Sequence, residues 1–254
     1  NQEAAEARDK VLYGKERRSL EMDENEKKTT AYHEAGHTIV SLAVEHSDPV
    51  DKVTIIPRGL SLGATHFLPK KNRLSYWKRE VIDQLAVLMG GRAAEEIFVS
   101  DISSGAQQDI VQATRFARSM VCEWGMSEEL GTVAYDEKYD GGGGYNNGYV
   151  EKTYSEETAK SIDLEVRTIL ESAHKRALEI IEKHRPQVEL MTAMLIEFET
   201  LDAQDISGIY KGEWDVDKKK QRLIDYENLH KQLPPPPPPL PPGGESQNLG
   251  IIGA

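Results

Sequence analysis

His33-Glu34-Ala35-Gly36-His37, an H-E-x-x-H pattern inside TAYHEAGHTIV, constrains this chain more tightly than any other feature. Residues four apart meet only on a helix, where they stand one turn apart on one face. The pattern therefore predicts a helix carrying two imidazoles that can grip one ion. Glu34 is displaced from that line by one residue, so it reaches a water on the ion and not the ion itself. This set suits metal-assisted hydrolysis, in which zinc acidifies a water, Glu34 takes its proton and the metal polarises the scissile carbonyl. Gly36 sharpens the expectation: glycine costs about 1 kcal/mol against alanine inside a helix, and close approach of another backbone would explain its presence.

A catalytic zinc takes three protein ligands, and this stretch supplies two. In the long metzincin pattern a histidine follows six residues after His37, where this chain has Ala43. His46 falls on the opposite side of the helix. The third ligand must come from elsewhere, and Glu80, Glu95, Glu96, Asp101 and Asp109 are all candidates. Asp109 heads a helical stripe of Ala113, Phe116, Ala117, Met120 and Trp124. A carboxylate in line with an inward-facing apolar row is costly unless paired or metal-bound, although a place near the helix start also suits dipole support. Spacing alone puts Asp109 only slightly ahead of Glu95.

Elsewhere the pattern predicts a mainly α chain with a small edge β-sheet. Asp23 and Glu26 form a capping-box signal for a helix running to about Val44, ended by Asp48-Pro49. Val53–Ile56 reads as a strand broken by Pro57-Arg58-Gly59, with 64–68 as its returning partner. Ser75 caps a helix that stops at Gly90-Gly91, followed by a second segment, RAAEEIFV. Ser103 or Ser104 caps the next helix, from about Ala106 to Trp124, with Gly125 as its stop. Gly141–Tyr149 reads as a mobile loop. Ser155 opens a long helix to about His184, with Ile162, Ile169, Ala173 and Ile181 among its apolar positions; Arg185-Pro186 interrupts it. A further helix spans 187–201, and 202–210 forms a short terminal element.

Composition excludes several classes. The 254 residues carry a net charge of −12, which argues against a duplex nucleic-acid partner. Cys122 stands alone, so no internal disulfide or multi-cysteine zinc cluster can form, and it reads as a small buried residue. No run approaches the roughly 18 apolar residues of a membrane span, and the amino terminus is too charged for a signal peptide. A soluble chain without direct membrane contact is expected, compatible with the soluble part of something anchored.

The segments ARDKVLYGKERRS, TAYHEAGHTIV, VDKVTIIPRG, LGATHFLP, GGRAAEEI, SSGAQQDI and CEWGMSEELG, in this order between Ala7 and Tyr210, resemble the peptidase domain of the FtsH family. Its members are membrane-bound, ATP-dependent zinc metalloproteases of the AAA class. The resemblance implies a helical zincin-like peptidase domain, with His33 and His37 as zinc ligands, Glu34 as general base and Asp109 as the third ligand. It implies that Glu95 orients a ligand histidine. It also implies a homo-hexameric ring beneath an AAA ATPase ring, on the cytoplasmic side of the bacterial inner membrane. That assembly degrades unfolded, misassembled or regulatory polypeptides, and the VTIIPRG strand would offer its edge to the substrate backbone. No G-x-x-x-x-G-K-[ST] is present, so this chain is expected to bind no ATP. The expected division is a helical lead-in over 1–22, a zinc peptidase domain over 23–211, and a charged, polyproline flexible tail over 212–254. The competing expectation is an assembly module with a structural or silent zinc site; a silent relative would have lost Glu34 or a ligand, and here all four residues are present.

Overall fold

The computed structural model describes residues 22–57, 61–68, 75–135, 137–139, 150–152 and 154–232. The chain divides into a unit ending at Trp214 and a second unit beginning at Asp215. Residues 1–21 of the expected lead-in, the glycine-rich 141–149 segment and the polyproline run lie outside the described residues.

The first unit is built on two helices that approach unusually closely. Helix α1, Glu24–Ala43, opens with the foreseen capping box: Glu26 N donates to Asp23 at 2.8 Å and Asp23 N donates to Glu26 at 3.2 Å. Helix α2 runs without interruption over Lys78–Phe98. The expected stop at Gly90-Gly91 is therefore corrected, since those glycines sit inside the helix. A Cβ on Gly36 would run into the Gly90 carbonyl oxygen, and one on Gly90 would lie 2.8 Å from the Gly36 oxygen. The glycines break no helix; they let the two backbones touch. The cap of α2 also differs, with Trp77 at that position and Glu80 accepting from Trp77 N at 3.3 Å in place of a Ser75 cap.

The sheet is three-stranded in the order β2-β1-β5, with β1 Val50–Thr54, β2 Ala64–Phe67 and β5 Thr200–Asp202, all antiparallel. Val53 stands opposite Thr65 on one side and Leu201 on the other. The strand expected to present an edge is thus the central one, paired on both sides, and β2 is an outer strand. Helix α5, Arg185–Phe198, ends before 201 because Glu199 turns left-handed at φ 60°, releasing Thr200–Asp202 into the sheet.

A single 3-10 turn, Ser104–Ala106, capped by the Ser103 side chain, leads into α3, Gln107–Cys122. Helix α4, Glu156–Lys183, begins at Ser155 as its sequence signals and packs against α2. Asp202 caps α6, Ala203–Lys211. Strands β3, Glu137–Tyr139, and β4, Val150–Lys152, pair as a hairpin around the glycine-rich segment. Ile39, Leu85, Met120, Ile162, Ile181 and Leu195 are among the fully buried side chains; each contributes roughly 1.5–3 kcal/mol by leaving water. Cys122 is buried with Ala117, Val121, Ile162 and Val166.

In the second unit, the charged stretch expected to belong to an extended tail forms helix α7, Val216–Gln232. No helix among the described residues is long and apolar enough to cross a membrane.

Candidate metal centre

His33 and His37 lie on the buried face of α1, one turn apart, as their spacing requires. What the spacing does not fix is which ring nitrogen each presents. His33 Nδ1 donates to Glu95 Oε1 at 2.8 Å, and His37 Nδ1 donates to the Val87 carbonyl at 2.8 Å. Both partners come from α2 and both are acceptors, so each imidazole carries a proton on Nδ1 and turns its Nε2 the other way.

Those two Nε2 atoms face each other at 3.0 Å, and Asp109 Oδ2 from α3 stands 3.3 Å from each. Three electron-rich atoms thus converge, an arrangement that repels itself unless a cation, either a proton or a metal ion, joins it. An ion with bonds of roughly 2.0–2.1 Å to nitrogen in tetrahedral geometry holds its ligand atoms about 3.3 Å apart, close to the distances found. The donor set of two imidazoles and a carboxylate fits zinc. Among the described residues, His33, His37 and Asp109 form the group that could hold a metal ion.

The remaining acids are occupied elsewhere. Glu80 accepts from Trp77 N at the start of α2, Glu96 pairs with Arg92 at 2.7 Å, and Asp101 accepts from Ile102 N at 2.8 Å. Glu95 is fully buried behind His33, not among the converging atoms. Its second oxygen accepts from Ser103 N at 2.8 Å, and the Ser103 hydroxyl caps the turn that leads to Asp109. The site's two halves are thereby joined through Glu95, a role for Ser103 that the sequence signalled only as a helix cap. His46 lies three residues past the end of α1, where its Nδ1 pairs with Asp83 at 2.9 Å. Of the expected α3 stripe, Ala113, Ala117 and Met120 are buried, whereas Phe116 and Trp124 are half-buried and gather with Tyr76.

Electrostatics match the geometry. Burial alone would push the His33 imidazole down; hydrogen bonds to Asp109 and Glu95 outweigh it and push it up to about 10. Burial would raise Asp109 too, but His33 and His37 hold it well below the usual carboxylate range. Without a metal ion, the His33 imidazole holds a second proton between the Asp109 and Glu95 carboxylates. Burial raises Glu34, against the lowering influence of His33, His37 and the Thr65 hydroxyl. Gly91 is required beneath the site, since a Cβ there would fall on the His33 ring.

A profile of Peptidase family M41 matches residues 20–209. The chain is 68% identical over 237 residues to the ATP-dependent zinc metalloprotease FtsH of Chlamydia trachomatis serovar L2, covering 92% of this chain and 26% of that protein. It is 68% identical over 233 residues to the protein of the same name from Protochlamydia amoebophila, covering 91% and 25%. It is 53% identical over 207 residues to FtsH 2 of Methylacidiphilum infernorum, covering 81% and 32%. The chain thus spans about a quarter to a third of the length of these relatives. With the match extending over three-quarters of its residues, the chain belongs to peptidase family M41.

Proposed function

We propose that this chain is the proteolytic part of an ATP-dependent zinc endopeptidase, in which His33, His37 and Asp109 hold zinc and Glu34 is the general base. The observation that carries this reading is the convergence of two imidazole Nε2 atoms and one carboxylate oxygen beside a buried glutamate. Zinc, when bound, supplies Lewis acidity, lowering the pKa of a water and polarising the scissile carbonyl.

The chain's own residues do the rest. Glu95 and the Val87 carbonyl lock the two imidazoles in the tautomer that presents Nε2. Glu34 accepts the proton of the attacking water and delivers it to the departing amine; burial, which raises its proton affinity, suits a group that must hold a proton between steps. An extended substrate adds to the outer side of β2, the strand beside Glu34, through main-chain hydrogen bonds. Such pairing recognises backbone over side chains and gives broad selectivity. The polypeptide substrates, the homo-hexameric ring, the partner AAA module and the place at the cytoplasmic side of the inner membrane in the full-length protein belong to the same proposal, by likeness to the FtsH relatives.

Glu34→Gln tests this reading. The substituted chain is expected to keep its bound zinc while losing cleavage of casein or a fluorogenic peptide by roughly a hundredfold or more. Cleavage that survives would remove Glu34 from the mechanism, and a wild-type chain holding no zinc would remove the centre itself.

A further inference from the structure

Helix α1 carries Glu34, but the groups that fix its carboxylate come from β2. Thr65 Oγ1 lies 2.8 Å from Glu34 Oε2, against 3.3 Å from both the Glu34 carbonyl and Thr38 Oγ1. The Thr38 hydroxyl spends its own proton on the Glu34 carbonyl at 2.9 Å. The single Thr65 proton therefore goes to the nearest and most charged acceptor, the carboxylate. On the other side, the backbone at Gly63 closes over the same side chain: a Cβ there would lie 2.8 Å from Glu34 Cγ and 2.9 Å from Oε1. Two residues of one strap, Gly63 and Thr65, thus set the direction in which Glu34 points.

That strap is also an outer strand. Among the described residues, strand β2 pairs with β1 on one side only, so its other side can receive an extended peptide. Resting on the proposed peptidase function, we infer that Thr65 is a positioning residue that ties occupancy of β2 to the aim of the Glu34 carboxylate. Peptide added to the strand orders the segment that carries Thr65, and the Thr65 hydroxyl passes that order to the base. A chain segment lying across the site without pairing to β2 would be cut slowly, because Glu34 would be less well directed.

The test compares Thr65→Val, which keeps shape and strand preference, with Thr65→Ser, which restores the hydroxyl, and with Glu34→Gln, all in the zinc-loaded chain. Thr65→Val is expected to keep full zinc and a near wild-type KM for a fluorogenic peptide while kcat falls roughly ten- to a hundredfold, the size of a lost hydrogen bond to a charged group. Thr65→Ser is expected to recover most of kcat. A second readout needs no turnover. In chains with 13C-labelled glutamate carboxyls, the Glu34 resonance, identified by its loss in Glu34→Gln, is expected to shift when a peptide with a methyleneamine in place of its scissile amide is added. Thr65→Val should abolish that response and Thr65→Ser should restore it. Wild-type kcat in Thr65→Val, a loss expressed in KM or zinc content, or an undiminished resonance shift would overturn the inference. Cleavage by Glu34→Gln would instead overturn the functional reading beneath it.

Discussion

Two histidine–carboxylate clusters flank helix α2, and they are opposite in charge logic. At His33, His37 and Asp109, every nearby partner is an acceptor, and three electron-rich atoms are left facing one another. At the other cluster, Asp83 is buried but saturated with donors. Its carboxylate accepts from His46 N and His46 Nδ1, both at 2.9 Å, and from Arg176 at 2.6 Å. The protein supplies its own cation there, so nothing further is needed. The lesson is that proximity of histidine and carboxylate does not mark a metal site. The mark is a convergence of ligand atoms with no arginine or lysine among them to supply the charge, as Arg176 does for Asp83.

The comparison breaks most sharply at Asp109. Asp109→Ala removes an atom from the converging set, and zinc affinity measured against a competing chelator is expected to fall well beyond the roughly ten- to hundredfold that Glu95→Gln should cost by loosening His33. Equal losses in the two variants would put Glu95 among the ligands.

A second contrast lies in pH. In the metal-free chain, His33 is raised from 6.5 to about 10, so the folded state holds a proton that the unfolded state releases. The stability this brings is complete below pH 6.5 and lost as pH rises towards 10, with a slope approaching roughly 1.4 kcal/mol per unit. Asp83 is held below its ordinary 3.8: burial opposes this, but His46 and Arg176 outweigh it. Its contribution is complete above pH 3.8 and lost as pH falls further. Thermal melts in chelator should therefore show an alkaline decline that zinc abolishes, because the metal takes the proton's place, together with an acid decline that zinc leaves alone. An alkaline decline persisting with zinc bound would contradict the assignment.

The smallest effect belongs to Arg176→Met. Removing one donor from buried Asp83 while His46 remains should cost about 1–3 kcal/mol, moderated because the Arg176 side chain is 40% exposed. Zinc content should not change. A loss of zinc in this variant would mean that the two clusters are coupled through α2.

Much of this was legible in the linear chain because it depends on local chemistry. Asp23 and Glu26 cap α1 through neighbours three residues apart, and Ser155 does the same for α4. The helical repeat alone places His33 and His37 together. Reading failed where a distant partner overrode a local rule. Gly90-Gly91 looked like a stop, but the backbone of α1 lies against it, and the continuous helix gains that packing. Residues 200 and 201 looked helical until Glu199 turned left-handed and β1 offered a place beside Val53. The charged stretch after Asp215 has no apolar stripe to announce it, yet it is helical.

The sequence by itself determined the helix, the pair of imidazoles and the place of Glu34 between them, since all three follow from a repeat of 3.6 residues. From residues alone it narrowed the third ligand to a few acids, and resemblance pointed to Asp109. Only the tertiary structure decided that Oδ2 of Asp109 meets both Nε2 atoms while Glu95 stands behind His33. It also decided that Thr65, thirty-one residues from Glu34, donates its hydroxyl proton to the Glu34 carboxylate. The reason is physical: a ring's tautomer and a carboxylate's direction are set by hydrogen bonds to partners distant in sequence, and only packing brings those partners near.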